Sequence, residues 1–224
     1  MEDPGTLDVD LQFGAVRSQV PWRLVVPDVE VDFGLSRNVE LDIDAAYAIE
    51  GPDNGPFTLD HPAPDNLWLA VKLGLYDSHG NGEATSWAVG AQLGPKLPVA
   101  TAAHGIGYEG LLLVARTWGE SHLVLNLGGL IDPGVQVSGQ RPAGIEGGLD
   151  LSLKLGQSSY SITGELAGVR FVSADADQLH ATAGVTWAAT DSLDLSMVGL
   201  MGFLSGGDRV GVLLGVSPKF ALWK

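Results

Sequence analysis

A chain of 224 residues can form one large all-β domain or two small ones, and no shift in composition marks a second. It has no cysteine, which excludes a disulfide framework and thiolate metal sites, and its 27 acids against 12 bases (net charge −15) argue against nucleic acid as a partner. A mean hydropathy of +0.17 is high for so acidic a chain, yet no apolar run nears the roughly 20 residues of a membrane-spanning helix. The longest runs, such as Leu111–Ala115 and Val212–Val216, are far shorter, so the membrane solution left open is a closed barrel. The opening Met1-Glu2-Asp3-Pro4 is acidic, unlike a secretory leader, and read plainly points to the cytoplasm. The preferred reading is a mature sequence whose signal peptide has been removed and replaced by a start methionine, with residues 1–5 a flexible lead-in to a single domain over 1–224.

Taken in chain order, short segments alternate apolar and polar residues, the period-2 mark of a strand with two unlike faces. Leu7, Val9, Leu11 and Phe13 alternate with Asp8, Asp10 and Gln12; Val29, Val31 and Phe33 with Glu30 and Asp32. The clearest segment is Val39–Ile49, where Val39, Leu41, Ile43, Ala45, Tyr47 and Ile49 share a face opposite Glu40, Asp42 and Asp44. Then come Leu67–Leu75 with Lys72 opposite, Trp87–Leu93 with Gln92 opposite, and Leu123–Leu127 with His122 and Asn126 opposite. Ile145–Leu153 sets Glu146, Asp150 and Lys154 on the polar face; Leu179–Trp187 sets His180; Leu193–Phe203 sets Asp194; Val210–Val216 completes the series. Tyr108–Trp118 is apolar on both faces in its middle. Tyr160–Phe171 carries Glu165 but slips parity near Ala167-Gly168, which predicts a bulge that would turn Arg170 inward. The count is about twelve strands, an even number that suits a bacterial single-chain barrel.

From Phe33 onward the connections alternate. Short ones (Ser36–Asn38, Gly119-Glu120, Gln157-Ser158, Thr190–Ser192) face longer ones (Gly51–Asn66, Pro98–Gly105, Asp132–Gln140, Ser173–Asp177), with Asp77–Ala84 the exception on the short side. Short turns are periplasmic and long loops extracellular in outer-membrane barrels, so both chain ends are expected in the periplasm and 51–66 is a long extracellular loop. Tyr76, Trp87, Trp118, Tyr160, Trp187 and Trp223 then gather at the periplasmic strand ends as an interfacial girdle; Tyr47, Trp68, Tyr108, Phe171 and Phe203 gather at the other. The competing reading is a soluble antiparallel sandwich, which alternates in the same way but buries its oily faces against each other. The number of segments, the turn asymmetry and the sorted aromatics favour the transmembrane barrel.

In that barrel the polar face lines the lumen. Asp8, Asp10, Glu30, Asp32, Glu40, Asp42 and Asp44 make an acidic wall from the first three strands, against Lys72, Lys96, Lys154 and Lys219 from later ones. Such charge either sets permeant preference or pairs across the lumen and fills it; twelve strands leave a narrow or partly plugged pore. The stretch Gly51–Phe57, leading into Asp60–Pro64, is either an exposed loop or a segment folding over the mouth. The five histidines, His61, His79, His104, His122 and His180, are not at metal-ligand spacing, and His122 and His180 fall on the lumen face rather than the lipid face a lipid hydrolase would use. No cofactor, metal or catalytic residue is expected.

Phe33-Gly34-Leu35-Ser36-Arg37-Asn38-Val39-Glu40-Leu41 resembles the aromatic-Gly-Leu-Thr-Asp-Arg opening, followed by an alternating strand, of the outer-membrane channels of the MetA pathway of phenol degradation. His122–Gly128, Gly164-Glu165-Leu166 and the closing Leu214–Phe220 resemble further family segments in the same order. The resemblance implies a monomeric twelve-stranded channel for small hydrophobic or aromatic molecules, some of which leave sideways through the wall. Ending on Lys224 rather than an aromatic departs from outer-membrane practice. The expected partners are membrane lipids, lipopolysaccharide and a small permeant. A closed structural or adhesive barrel is the alternative function, and an envelope lipid-modifying enzyme the third.

Overall fold

The computed structural model describes residues 1–17, 22–51, 62–78, 85–100, 103–135, 141–172 and 176–223. Twelve long strands follow one another: β1 Thr6–Arg17, β2 Trp22–Ser36, β3 Val39–Glu50, β4 Leu67–Asp77, β5 Thr85–Leu97 and β6 Gly107–Trp118, then β7 Ser121–Ile131, β8 Ala143–Lys154, β9 Tyr160–Phe171, β10 Gln178–Thr190, β11 Leu193–Gly202 and β12 Val210–Ala221. Each pairs antiparallel with the next, and β12 pairs with β1 from Thr6↔Ala221 to Arg17↔Val210, so the sheet closes on itself. Closure leaves no unpaired edge, the condition for crossing a membrane with strands. Among the described residues, Pro62–Pro64 adds a short pairing to the end of β3, and Ala103–His104 pairs with Gly134–Val135 between the loops.

The barrel is inside-out relative to a soluble fold. Leu75, Leu127 and Ile145 are at least 60 % exposed on the outside, while Asp8, Glu40, Asp42 and Gln92 are buried within. The alternation therefore served a barrel wall and not a sandwich, since a single closed sheet has no second sheet to cover its oily face. The short turns need little: Gly119, at φ 58°, supplies the left-handed residue of the two-residue link from β6 to β7.

Register faults fall at Gln12/Gly14, Val25/Asp28, Gly34/Ser36, Gly74/Tyr76 and Ala188/Thr190. The one at Gly74/Tyr76 lets Leu75 and Tyr76 both face out. None falls at Ala167-Gly168, where the pairing of β9 with both neighbours runs unbroken. The expected bulge is therefore corrected. The parity slip arises because the inward residues Ala167, Val169 and Phe171 are apolar, and Arg170 stays on the outer face, exposed.

The first five residues, expected to be loose, are held across the turn-side opening. Gly5 N donates to Gly34 O at 2.8 Å, Leu222 N to Gly5 O at 2.8 Å, and Glu2 N to the Glu40 carboxylate. A strand that begins at the rim leaves its lead-in polar groups facing lumen acids and bases, which capture them.

Candidate functional site: the lumen

The pairing places the predicted lumen residues on inward positions of their strands. Asp8 and Asp10 stand on β1, Glu30 and Asp32 on β2, Glu40, Asp42 and Asp44 on β3, and adjacent rungs align Asp8 with Asp32 and Asp32 with Asp42. Lys72 on β4 lies in register with Glu40, and Gln92 on β5 with Lys72. Like charges on neighbouring rungs repel, so this wall requires a cation in reach. Lys72 supplies it: its Nζ lies 2.7 Å from Asp32 Oδ1, 3.1 Å from both Glu40 Oε1 and Asp42 Oδ2, and 3.8 Å from Glu30 Oε1. Gln92 Nε2 donates to Asp42 Oδ2 at 2.6 Å. Carboxylate oxygens of Glu30, Asp32 and Asp42 lie within 4.8 Å of one another, a spacing a metal ion could bridge, but the Lys72 ammonium already provides the countercharge there.

The other bases also pair with near neighbours rather than across the lumen. Lys96 Nζ meets Glu109 Oε2 at 2.8 Å and Asp132 Oδ1 at 3.0 Å, not the acids of β1–β3. Lys219 meets Asp8 Oδ2 at 2.8 Å and Glu2 Oε1 at 3.3 Å, while Lys154 turns to Glu120 at 3.0 Å, at the turn end. Of the acids set against Lys72 and Lys96, Glu40 and Asp42 do meet Lys72, from the next strand, while Lys96 serves a different pair, Glu109 and Asp132. The reason is reach. A lysine on a paired strand touches its neighbour's carboxylate at the cost of one rotamer, whereas the far wall lies beyond a side chain's length.

What this leaves is an acidic patch nearer the loop end. Asp10, Asp28, Glu30, Asp44 and Asp65 line a 210 Å³ cavity with Gln12 and Ala46, and no base lines it. Among the described residues no lysine or arginine lies within 4 Å of Asp10, Asp28 or Asp44, although Ser217 Oγ donates to Asp10. Asp28, Asp65, Glu109 and Glu2 were not singled out from sequence; Asp28 has the inward parity of Glu30, a signal that was present.

The remaining predicted residues line other strands separately. Asn126 on β7 lies against β8, where a side chain at Gly148 would come within 2.9 Å of its Oδ1. Glu146 and Asp150 are on β8, Glu165 on β9 in register with Asp150, His180 on β10 and Asp194 on β11. His122 Nε2 stands 3.9 Å from Asp150 Oδ1 within the lumen. His61, His79 and the stretch 52–61 lie outside the described residues. Leu111 and Leu113 on β6, Val124 and Leu130 on β7, Val198 and Leu200 on β11 and Leu213 on β12 also hold inward parity, so the lumen has an apolar wall as well as an acidic one. The signal for it was the doubly apolar middle of Tyr108–Trp118.

On the outside, Tyr76, Trp87, Tyr160, Trp187 and Trp223 are exposed and Trp118 half-buried, all near the turn end. Tyr160 and Trp187 stack at 6.3 Å, and the Arg116 guanidinium lies 5.3 Å from the Trp87 ring centre. Tyr47, Tyr108 and Phe203 are exposed at the loop end, but Trp68 is not part of that belt. It points inward beside Asp44 and Lys96, 8 % exposed, because Lys72 fixes the parity of β4.

No protein-family model matches the chain, and no curated protein matches it. Among solved structures it is similar to an outer-membrane channel from Pseudomonas putida F1, at 10% identity over 98% of this chain and 97% of that one, with a TM-score of 0.65. A porin is matched at 11% identity, over 96% of this chain and 99% of that one, with a TM-score of 0.48. The fold is that of an outer-membrane barrel. Its oily exterior is that of a barrel wall facing lipid. The resemblance to the phenol-degradation channels is not shown by any family match.

Proposed function

We propose that this protein is a monomeric, passive outer-membrane channel for small molecules, with its loop end outside and both chain ends in the periplasm. The observation that carries the reading is the two-sided lumen: an acidic patch without a base at Asp10, Asp28 and Asp44, and an apolar wall that includes Leu111, Leu113, Val198 and Leu200. Fixed carboxylates favour cations in a narrow pore, and the apolar wall accommodates hydrophobic or aromatic bodies that water-lined porins exclude. The motif resemblance to the phenol-degradation channels supports the same permeant class.

In planar bilayers the protein should give discrete, cation-preferring current steps. Converting Asp10 and Asp44 to asparagine together should lower the cation-to-anion permeability ratio by about twofold or more; an unmoved reversal potential removes the patch from selectivity. Because the chain has no cysteine, orientation is read cleanly. Val99→Cys, on the loop side, should react with an impermeant maleimide on intact cells, and Asn38→Cys, on the turn side, should not. A second reading, a closed structural barrel, is favoured by the segment of residues 2–5 lying over the turn-side opening. Correctly folded protein that never conducts would establish it over the channel.

A further inference from the structure

The lipid-facing wall is not uniformly covered. A hydrogen-bonded row of outward residues crosses β5 to β9 as Leu93, Gly110, Gly129, Ile145 and Arg170. Gly110 and Gly129 face each other across one rung, and the missing side chains leave a groove of 510 Å³ walled by Leu93, Tyr108, Ile131 and Ile145. The groove lies in the half of the barrel nearer the loops. The row continues one strand beyond the groove to Arg170, paired in register with Ile145 of the groove wall. The Arg170 side chain is exposed and makes no hydrogen bond or ion pair among the described residues. A guanidinium on the lipid side of a barrel is tolerated near an interface and costly at the midplane. Arg116, the outward arginine toward the other end, has Trp87 as its neighbour; Arg170 has no such companion.

We propose that the groove and Arg170 together bind lipid A, the phosphorylated, multiply acylated anchor of lipopolysaccharide. One acyl chain lies over Gly110 and Gly129 between the apolar walls, and a phosphate takes the free guanidinium. An acyl chain matches an open apolar trough on a surface already bathed in chains, and arginine's planar fork pairs two phosphate oxygens at once. The chemistry of the leaflet selects the ligand: at the extracellular face the abundant lipid bearing both parts is lipid A. The inference rests on the loop end facing outward, as proposed above.

The full chain, refolded in detergent, is titrated with purified lipid A and followed by native mass spectrometry. Lipid A should bind in defined stoichiometry. Arg170→Glu should weaken binding about tenfold, and Arg170→Gln severalfold. Gly110→Leu should weaken it as well by filling the trough; the first atom of its side chain would meet nothing closer than 3.7 Å, so the wall itself is undisturbed. Dephosphorylated lipid A should lose the dependence on Arg170 and keep the dependence on Gly110. Unchanged binding by all three variants, each with the heat-modifiable mobility of a folded barrel, overturns the proposal. So does phosphatidylglycerol binding as tightly as lipid A with the same dependence on Arg170, which would make the site one for phospholipid. Failure of the channel reading is seen separately as absent current, and failure of the orientation as a reversed labelling pattern at Val99→Cys and Asn38→Cys.

Discussion

Replacing Lys72 by methionine tests whether the acidic wall is held together by one ammonium. The substitution keeps the length of the side chain and removes its charge. Lys72 Nζ lies 2.7 Å from Asp32 and 3.1 Å from each of Glu40 and Asp42, and the side chains of Glu40 and Asp42 are only 2 % exposed. Removing one partner of so enclosed an ion pair usually costs about 3–5 kcal/mol, because the stranded charge keeps its desolvation penalty and loses its attraction. Gln92 still donates to Asp42, and Glu2 N to Glu40, so the lower end, about 3 kcal/mol, is the expected loss. The assay is urea-dependent unfolding of the barrel in lipid vesicles, read by tryptophan fluorescence. Lys154→Met is the comparison: its partner Glu120 is 74 % exposed, and a screened pair of that kind contributes at most about 1 kcal/mol. Adding Asp32→Asn, Glu40→Gln and Asp42→Asn to Lys72→Met should restore most of the loss, since the three nearest carboxylate charges go with the ammonium. Equal effects of Lys72→Met and Lys154→Met, both under about 1 kcal/mol, would show that water reaches the cluster and that the wall needs no internal cation.

Two further outcomes follow from particular side chains. Trp68→Phe should leave the fraction of fluorescence quenched by brominated acyl chains unchanged or higher, because Trp68 faces the lumen, whereas Trp87→Phe and Trp187→Phe should lower it; a drop for Trp68→Phe would place that ring in lipid. Gly168→Ala would put a methyl 2.6 Å from the Gln178 backbone oxygen, which cannot rotate away, and should cost about 1–3 kcal/mol in the same urea titration, whereas Gly199→Ala, whose nearest atom is 3.8 Å away, should stay within about 0.5 kcal/mol.

The strand count, the faces and the alternation of connections were legible because a barrel wall imposes period 2 on every strand, with lipid demanding one apolar set. Val39–Ile49 could be read almost residue by residue. Two errors share one cause. Trp68 and the inward trio Ala167, Val169 and Phe171 are apolar side chains on the lumen face, and a reading that equates apolar with outward misplaces the first and invents a bulge for the others. In a soluble sheet the wet face tolerates few large apolar groups, but a lumen is enclosed and can be apolar over part of its area. The anchoring of residues 1–5 was illegible for another reason. Their partners, Gly34, Glu40 and Lys219, are distant in sequence and brought together only by closure.

Closure also explains why charge on the wall is unevenly balanced. In an open sheet an excess of acids on one strand can splay toward water. In this barrel β1 to β3 stand side by side, and the only ammonium groups in contact with their carboxylates among the described residues are Lys72, on the next strand, and Lys219, on the strand before β1. Both sit toward the turn end, in register with Glu40 and Asp8. Countercharge is thereby concentrated at one depth, and the carboxylates further along the same strands toward the loop end, Asp10, Asp28 and Asp44, line a cavity that no base lines. A permeant entering from the loop side would meet net negative charge first and the lysine-bridged cluster second, so a cation attracted to the mouth finds the next position already occupied by Lys72. That order predicts attraction without deep trapping, which is the condition for conduction rather than binding.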